Sequence, residues 1–249
     1  VGHQEIITHL QNAISMNKVS HAYLFGGESG SGKKMMASLF AMTLQCEKHG
    51  VEPCMECPSC KKAQSQNHPD IIYVKHEKPN TISIDEIREQ LINDVMIKPY
   101  SSPYKIYIID EAQKLTLQAQ NALLKTIEEP PAYAVVMLLA DNPDALLPTI
   151  SSRCVQLNLK PVGDQLVKDY LMNEMHVPDY QAEVDASLAQ GNIGKAERIA
   201  RSPEYEETLE SALRMAKYAD SMPLYEIVET IKKLTAEKDN IDDYFDIFS

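Results

Sequence analysis

A glycine-rich loop that follows the first short apolar run constrains the fold more than any other feature. Residues 27–34 read GESGSGKK and fit the pattern G-x-x-x-x-G-K-[ST] everywhere except the last position. In that pattern the glycines, here Gly27, Gly30 and Gly32, let backbone N–H groups face phosphate oxygens, and the lysine, here Lys33, reaches the β- and γ-phosphates. Such a loop predicts a parallel α/β domain with the loop between a strand and a helix.

The last position of this loop departs from the pattern. It is Lys34, where a Ser or Thr hydroxyl ordinarily ligates Mg²⁺. An ammonium group has three hydrogen-bond donors and no lone pair for a metal. We therefore expect the phosphate cradle of an ATPase without its activity, and we do not expect ATP with Mg²⁺ as a cofactor.

Short apolar runs alternate with helical stretches over the first 160 residues. Continuous apolar runs suit strands of a parallel sheet that is covered on both faces. The expected strands are 22–25, 71–74, 106–109, 135–139 and 155–159, and the expected helices are 33–46, 83–97 and 117–129. The pattern predicts a doubly wound domain over 1–160, with the loop at the carboxyl end of a strand.

The strands stop after Pro161. Three short helices are expected at 162–175, 179–190 and 195–201, which gives a small helical domain at 161–205. A further helical segment is expected over 206–249, and its last residues, 242–249, carry aromatic and aliphatic groups typical of a surface that meets a partner.

Four of the five cysteines are clustered: Cys46, Cys54, Cys57 and Cys60. The run C-x₂-C-x₂-C brings three thiolates together in a loop, and Cys46 can complete a tetrahedron, so we expect structural zinc in a module at 46–60. An iron–sulfur cluster and disulfides are the alternatives. His49 and His68 flank the module and could replace a ligand. A site closed by four thiolates stabilises the fold and does not catalyse.

A second element of a nucleotide site is the segment 105–112, KIYIIDEA. An apolar strand that ends in Asp110 and Glu111 places one carboxylate beside a Mg²⁺ site and another near an attacking water. Acids that simply follow a strand are the ordinary alternative. We hypothesise that Lys34 pairs with Asp110 or Glu111 in place of the metal, since opposite charges near contact attract each other.

Two further residues are candidates at the ends of later strands. Arg153 precedes the expected edge strand at 155–159, where its guanidinium could point outward and act on the phosphate of a neighbouring molecule. An ordinary surface or ion-paired arginine is the alternative. Asn142 follows Asp141 at the end of the fourth strand, near the position where a residue could contact a phosphate, although either of the two could form a hydrogen bond without ATP.

Composition narrows the class of protein. The formal net charge is −12 over 249 residues, and such a surface repels phosphate backbones on average. Tight binding of nucleic acid by this chain alone is therefore not expected.

No apolar run approaches the ~18 residues that a membrane span needs, so we expect no membrane contact and a cytoplasmic location. Because the sequence does not begin with Met, we expect a trimmed or processed chain.

Four segments in series resemble the clamp-loader subunits of bacterial DNA polymerase III, which belong to the AAA+ class, and within them the delta-prime type. They read HAYLFGGESGSGKK, CEKHGVEPCMECPSC, KIYIIDEAQKLTLQAQNALLKTIEEPP and LLPTISSRC. The resemblance covers about residues 1–205 in order.

The resemblance implies an AAA+ P-loop domain with an inserted zinc module, then a three-helix lid and a helical collar domain. It implies that the four clustered cysteines hold zinc and that Arg153 is an arginine finger serving the ATP of an adjacent gamma/tau subunit. The implied partners are gamma/tau and delta, which load the sliding clamp onto primed DNA. The chain would then be a subunit of a DNA-directed DNA polymerase holoenzyme, a nucleotidyltransferase, and have no ATPase activity of its own.

The gamma/tau ATPase motor is the competing interpretation, because it shares the cysteines, the acidic strand end and the Ser-Arg-Cys motif. Its pattern has Thr or Ser at the Lys34 position and a lid arginine where Gly194 is expected here. An unrelated P-loop enzyme such as a small kinase is a third possibility, although no sequence feature supplies its substrate site. Since few residues follow the lid, we expect a truncated collar at 206–249 and a chain that is monomeric alone.

Overall fold

The computed structural model describes residues 2–201, 203–218 and 222–236. The chain divides into two compact units. The first unit is His3–Lys160, and the second contains Gly2 and the described residues from Pro161 onward. Each unit has a hydrophobic core of its own and is described by itself.

The first unit contains a five-stranded sheet in the order β2-β3-β4-β1-β5, with every neighbouring pair parallel. All five predicted strands are confirmed to within two residues at each end. They are β1 (Ala22–Gly26), β2 (Ile71–Tyr73), β3 (Lys105–Ile109), β4 (Ala134–Ala140) and β5 (Val155–Asn158).

The sheet is covered on both faces, as continuous apolar strands require. Tyr23 and Phe25 of β1 face one hydrophobic cluster, together with α2 and the cysteine module, while Leu24 faces the other. The same alternation divides Ile108 from Ile109 in β3. This two-sided burial fixes the strand ends that carry the candidate site.

The helices of the first unit flank this sheet. They are α1 (Gln4–Ser15), α2 (Lys33–Leu44), α3 (Pro58–Gln64), α4 (Ile84–Ile87), α5 (Leu117–Glu128) and α6 (Pro148–Ser151). The predictions for α2 and α5 are confirmed. Thr116 caps α5 by accepting a hydrogen bond from the N–H of Ala119 at 3.3 Å, and the helix ends just before Pro130.

The predicted helix at 83–97 is wrong in length. Ser83 and Glu86 form a capping box that starts α4, but after Ile87 the chain continues as a π-helical turn, Arg88–Ile92, and then becomes irregular. The irregular part lies against the buried ammonium of Lys105, which donates to the carbonyl oxygens of Asp94 at 2.9 Å and Ile97 at 3.2 Å.

The second unit is helical throughout its described residues. Its helices are α7 (Asp164–Glu174), α8 (Asp179–Ala189), α9 (Ile193–Arg201), α10 (Pro203–Tyr218) and α11 (Leu224–Ala236). The first three match the predicted lid helices. Val167, Leu171 and Ile199 are buried in its core. Residues 237–249 lie outside the described residues, so the expectation for 242–249 and the end of the predicted 206–249 segment stays a prediction.

No helix in the described part of the chain combines the length and apolar character that a bilayer crossing requires.

Candidate nucleotide-binding loop and cysteine centre

The glycine-rich loop connects β1 to α2, as its motif predicts. Gly27, Gly30 and Gly32 all have positive φ angles, of 143°, 85° and 96°, a region that glycine enters without a Cβ penalty. At Gly27 a Cβ would also lie 2.6 Å from the carbonyl oxygen of Leu159. Glycine is therefore required at Gly27 both for its φ angle and for the close approach of β5.

Lys33 starts α2, and its ammonium is turned back onto the loop. Its Nζ donates to the carbonyl oxygens of Gly27 at 2.5 Å and Glu28 at 2.7 Å, and to Oδ1 of Asp141 at 2.7 Å. The side chain is 8% exposed, whereas that of Asp141 is 41% exposed. An ammonium has three N–H donors, and protein oxygens accept from Lys33 in all three directions.

Sheet order explains why Asp141 reaches Lys33. Since β4 lies between β1 and β3, the residue after β4 faces both the loop after β1 and the turn after β3. Gln113, in that turn, donates to Oδ2 of Asp141 at 3.1 Å and accepts from its N–H at 3.2 Å. The side chain of Asn142, the tentative choice of this pair from the sequence, accepts from the N–H of Asp144, and its contact with a phosphate stays a prediction. The sequence feature that points to Asp141 as a site residue is its position directly after a buried strand.

The hypothesised ion pair of Lys34 is confirmed for Asp110. Their Nζ and Oδ2 atoms are 2.9 Å apart, with side chains 60% and 40% exposed. Glu111 lies instead beside Lys114 at 2.6 Å and His76 at 3.3 Å. The two acids after β3 therefore face different cations, and an ammonium lies against the carboxylate that a bound metal would use.

Arg153 lies between α6 and the edge strand β5, where the sequence placed it. Its guanidinium donates to the carbonyl oxygen of Thr149 at 2.9 Å and pairs with Oε1 of Glu128 at 3.0 Å. Both charged side chains are more than 40% exposed. The guanidinium is thus accessible to another molecule, while two groups of its own chain orient it.

The four clustered cysteines come together as predicted. Their Sγ atoms all lie within 4.8 Å of one another, and Cys46, Cys57 and Cys60 are buried. Backbone N–H groups donate to sulfur within the cluster, from Cys57 to Cys54 and from Cys60 to Cys57, both at 3.3 Å. Cys57 also caps α3, with Pro58 at its first position, so the expected loop is partly a helix.

This geometry fits a tetrahedral metal site. Zinc–sulfur bonds of ~2.3 Å place ligand sulfurs roughly 3.8 Å apart, which needs only a small contraction of the cluster. The N–H groups of Cys57 and Glu56 lower the pKa of Cys54 to about 6, whereas burial raises the pKa of Cys60 to about 12. All five cysteines are free thiols, so the disulfide alternative finds no support.

Neither flanking histidine belongs to this cluster. His68 is buried, where its Nε2 lies 3.0 Å from the hydroxyl of Ser59 and its Nδ1 accepts from the N–H of Asp70 at 3.1 Å. His49 has a left-handed backbone conformation on the exposed surface. The four cysteines alone make up the candidate metal site among the described residues.

Comparison with known sequences gives one family. A family model described as "DNA polymerase III, delta subunit" matches residues 2–163. The chain is 35% identical over 207 residues to DNA polymerase III subunit delta' of Bacillus subtilis, covering 83% of this chain and 61% of that protein. It is 38% identical over 200 residues to DNA polymerase III subunit tau/gamma of Haemophilus influenzae, covering 78% of this chain and 28% of that protein. The chain thus spans less than two thirds of the length of either relative.

Comparison with solved structures supports the fold. A DNA polymerase III gamma subunit-related protein of Thermotoga maritima superposes with a TM-score of 0.51 at 23% identity, covering 98% of this chain and 77% of that one. A variant of RuvB from the same organism gives a TM-score of 0.53 at 16% identity, covering 94% and 70%. These likenesses and the parallel sheet identify an AAA+ P-loop fold.

Proposed function

The chain belongs to the DNA polymerase III delta subunit family, and from that premise we propose that it is a clamp-loader subunit of the delta-prime type. In this role it does not hydrolyse ATP. It holds its place in a ring with gamma/tau and delta subunits, which load the sliding clamp onto primed DNA in the cytoplasm. Arg153 is offered to the ATP of a neighbouring gamma/tau subunit.

The ion pair of Lys34 with Asp110 carries the proposal. A P-loop ATPase needs a hydroxyl at this position and a carboxylate opposite it, both directed at Mg²⁺. Here an ammonium occupies the first position and lies 2.9 Å from the second. Two positive charges would have to share one small space for Mg²⁺ to enter. The residues present therefore do not fit the metal–triphosphate complex.

Steady-state hydrolysis of Mg-ATP by the purified chain tests this role. We expect no turnover above that of a Lys33→Ala control, with or without primed DNA. Turnover that is metal-dependent and lost in the Lys33→Ala variant would instead favour a gamma/tau-type motor. That second candidate has specific support, because tau/gamma relatives match about as well as the delta' relative does.

Substitution of Arg153 tests the action on a neighbour. In a loader reconstituted with its own gamma/tau and delta subunits, Arg153→Ala should slow hydrolysis at the site that it serves by ~10³-fold or more, the usual effect of an arginine finger. Assembly measured by size-exclusion chromatography should be unchanged. Unaltered DNA-stimulated hydrolysis would reduce Arg153 to a surface residue.

We also propose that the metal of the cysteine cluster is zinc, held by Cys46, Cys54, Cys57 and Cys60 for structure alone. Four thiolates leave no open position for a substrate, and zinc prefers this ligand set.

Metal content and stability test the zinc assignment. We expect one zinc per chain, and we expect Cys57→Ser to lose it. The variant should lose at least about 2 kcal/mol, which lowers Tm by roughly 4–8 °C for a chain of this size. Cys154→Ser is the matched control, since Cys154 lies outside the cluster. Bound iron, or equal loss in both variants, would contradict a structural zinc site.

A further inference from the structure

The P-loop lysine has its hydrogen-bonding capacity met inside the chain. Lys33 is nearly buried, and three oxygens accept from its Nζ at 2.5–2.7 Å. In a nucleotide-binding loop this ammonium must face phosphate oxygens. A phosphate that enters here has to displace one of the three acceptors, and the charged one, Asp141, binds most strongly.

Asp141 is held in place from its other side. The side-chain amide of Gln113 donates to Oδ2 of Asp141 and accepts from the backbone N–H of Asp141. The other carboxylate oxygen, Oδ1, accepts from the Nζ of Lys33. Both carboxylate oxygens therefore have partners on two elements, the loop after β1 and the turn after β3. A rotation of Asp141 away from Lys33 would break both sets of contacts together.

The second lysine of the loop is neutralised in the same way. Lys34 faces Asp110 as Lys33 faces Asp141, so two cations of the loop meet two carboxylates of the strand ends. An approaching triphosphate thus meets neutral ion pairs at the position where an active loop offers positive charge. Of the two pairs, that of Lys33 is the less exposed, and so it is the less screened by solvent.

We propose that Asp141 is the residue that excludes nucleotide from this loop. Its carboxylate takes the electrostatic place of a phosphate on Lys33, so the loop stays closed to anions even where its backbone could receive them. This assignment goes beyond the loss of hydrolysis argued from Lys34, and it does not depend on any partner subunit. Removal of the Asp141 charge restores anion binding, and hydrolysis still fails because of Lys34.

Titration of the full chain with ATP tests the proposal. The probe is sodium ATP in a magnesium-free buffer without chelator, because a chelator would also strip the cysteine cluster. Asp141→Asn keeps the size of the side chain and one acceptor oxygen, replaces the other oxygen with an N–H donor and removes the charge. We expect this variant to bind metal-free ATP at least tenfold more tightly than the parent chain, with Asp144→Asn, a surface acid of the same turn, unchanged.

A Lys34→Thr substitution separates the two lysines. Alone it should gain nothing, because Lys33 remains paired with Asp141. Combined with Asp141→Asn it should make ATP binding tighter when Mg²⁺ is added, which the single Asp141→Asn variant should not show. If Asp141→Asn is poorly folded by circular dichroism, Asp141→Ser makes the same test.

Three results would overturn the proposal: a folded Asp141 variant with the affinity of the parent chain, equal gains in Asp141→Asn and Asp144→Asn, or tight ATP binding by the parent chain. The clamp-loader role is tested apart from it. Arg153→Ala can impair the partner ATPase whatever Asp141 does, and Asp141→Asn can gain ATP in a chain that has no effect on any partner.

Discussion

Arg153 donates to two groups of its own chain, the carbonyl of Thr149 and the carboxylate of Glu128. The carbonyl contact orients the guanidinium without neutralising it, whereas Glu128 competes for it with any phosphate. An ion pair this exposed is worth at most ~1 kcal/mol. Arg153 can therefore leave Glu128 at little cost when a stronger anion arrives.

A Glu128→Gln substitution should free Arg153 without displacing it. In the reconstituted loader we expect the partner's DNA-stimulated ATP hydrolysis to stay level or to rise by no more than about fivefold, which corresponds to ~1 kcal/mol. Glu129→Gln, the next residue along the chain, is the control. A fall as large as that of Arg153→Ala would mean that Glu128 is needed to aim the guanidinium.

Gly27 joins the phosphate-binding loop to the edge of the sheet. Gly27→Ala forces a side chain into a φ of 143° and places its Cβ 2.6 Å from the oxygen of Leu159. We expect a loss of about 1–3 kcal/mol in the free energy of unfolding, measured by urea titration. Gly50→Ala, where a Cβ would lie 3.4 Å from the nearest atom, should change it by less than ~0.5 kcal/mol. Equal losses would refute the steric argument.

Opposite charge made one contact between residues of the site predictable from the sequence. Lys34 and Asp110 could be paired from the sequence because the P-loop and the acidic strand end always lie near each other in this fold. The contact of Lys33 with Asp141 could not, since it depends on β4 lying between β1 and β3. The pairing of Glu128 with Arg153 could not be predicted either, because Glu128 belongs to α5 and not to the Ser-Arg-Cys segment.

At the scale of helices and strands, sequence patterns predicted some elements and missed others. The central strands β1, β3 and β4 were predictable because each is a short, largely apolar run buried on both faces. The end of α4 at Ile87 was not, because no Pro or Gly marks it and the chain continues into a π-helical turn, Arg88–Ile92. The helix α3 was hidden within the cysteine run, and α1 was not predicted at all.

His68 links the start of α3 to the start of β2. Its ring lies between Ser59 and the N–H of Asp70, and the carboxylate of Asp70 accepts from the N–H groups of Tyr100 at 2.6 Å and Ser101 at 2.9 Å. Burial lowers the pKa of His68, so the folded chain favours the neutral ring. One buried imidazole therefore helps to hold three separate segments together.

Acid should weaken this link. His68 takes up a proton near pH 6.5 in the unfolded chain and only at a lower pH in the folded chain, so its contribution is present above pH 6.5 and is lost as pH falls below it. We expect the Tm of the parent chain to drop more between pH 7 and pH 5 than that of His68→Gln. His9→Gln, an exposed histidine of α1, should behave as the parent does. Identical slopes for all three proteins would exclude His68 as the cause.

The whole molecule carries a formal net charge of −12. Each of the two loop lysines is paired with a carboxylate, so these two ion pairs add nothing to that charge. Excess charge of one sign repels itself and destabilises the compact state. Screening by salt reduces this cost within a Debye length of ~10 Å at 0.1 M.

Raising the ionic strength should therefore stabilise the chain. Between about 20 and 200 mM NaCl, we expect Tm to increase by a few degrees in differential scanning calorimetry. Choline chloride and potassium chloride at the same ionic strength serve as controls and should give the same increase. A response to one cation alone would point to specific ion binding, and a decrease would show that attractive pairs outweigh the repulsion.

The two edge strands of the sheet, β2 and β5, affect how the molecule can associate with others. β2 has three residues and β5 has four, so neither offers the long row of open amide and carbonyl groups that recruits a foreign strand. Amyloid-like stacking and β-augmentation are thereby disfavoured on both sides. For the described part of the chain, this favours association through side-chain complementarity between folded surfaces, which can be made and broken repeatedly.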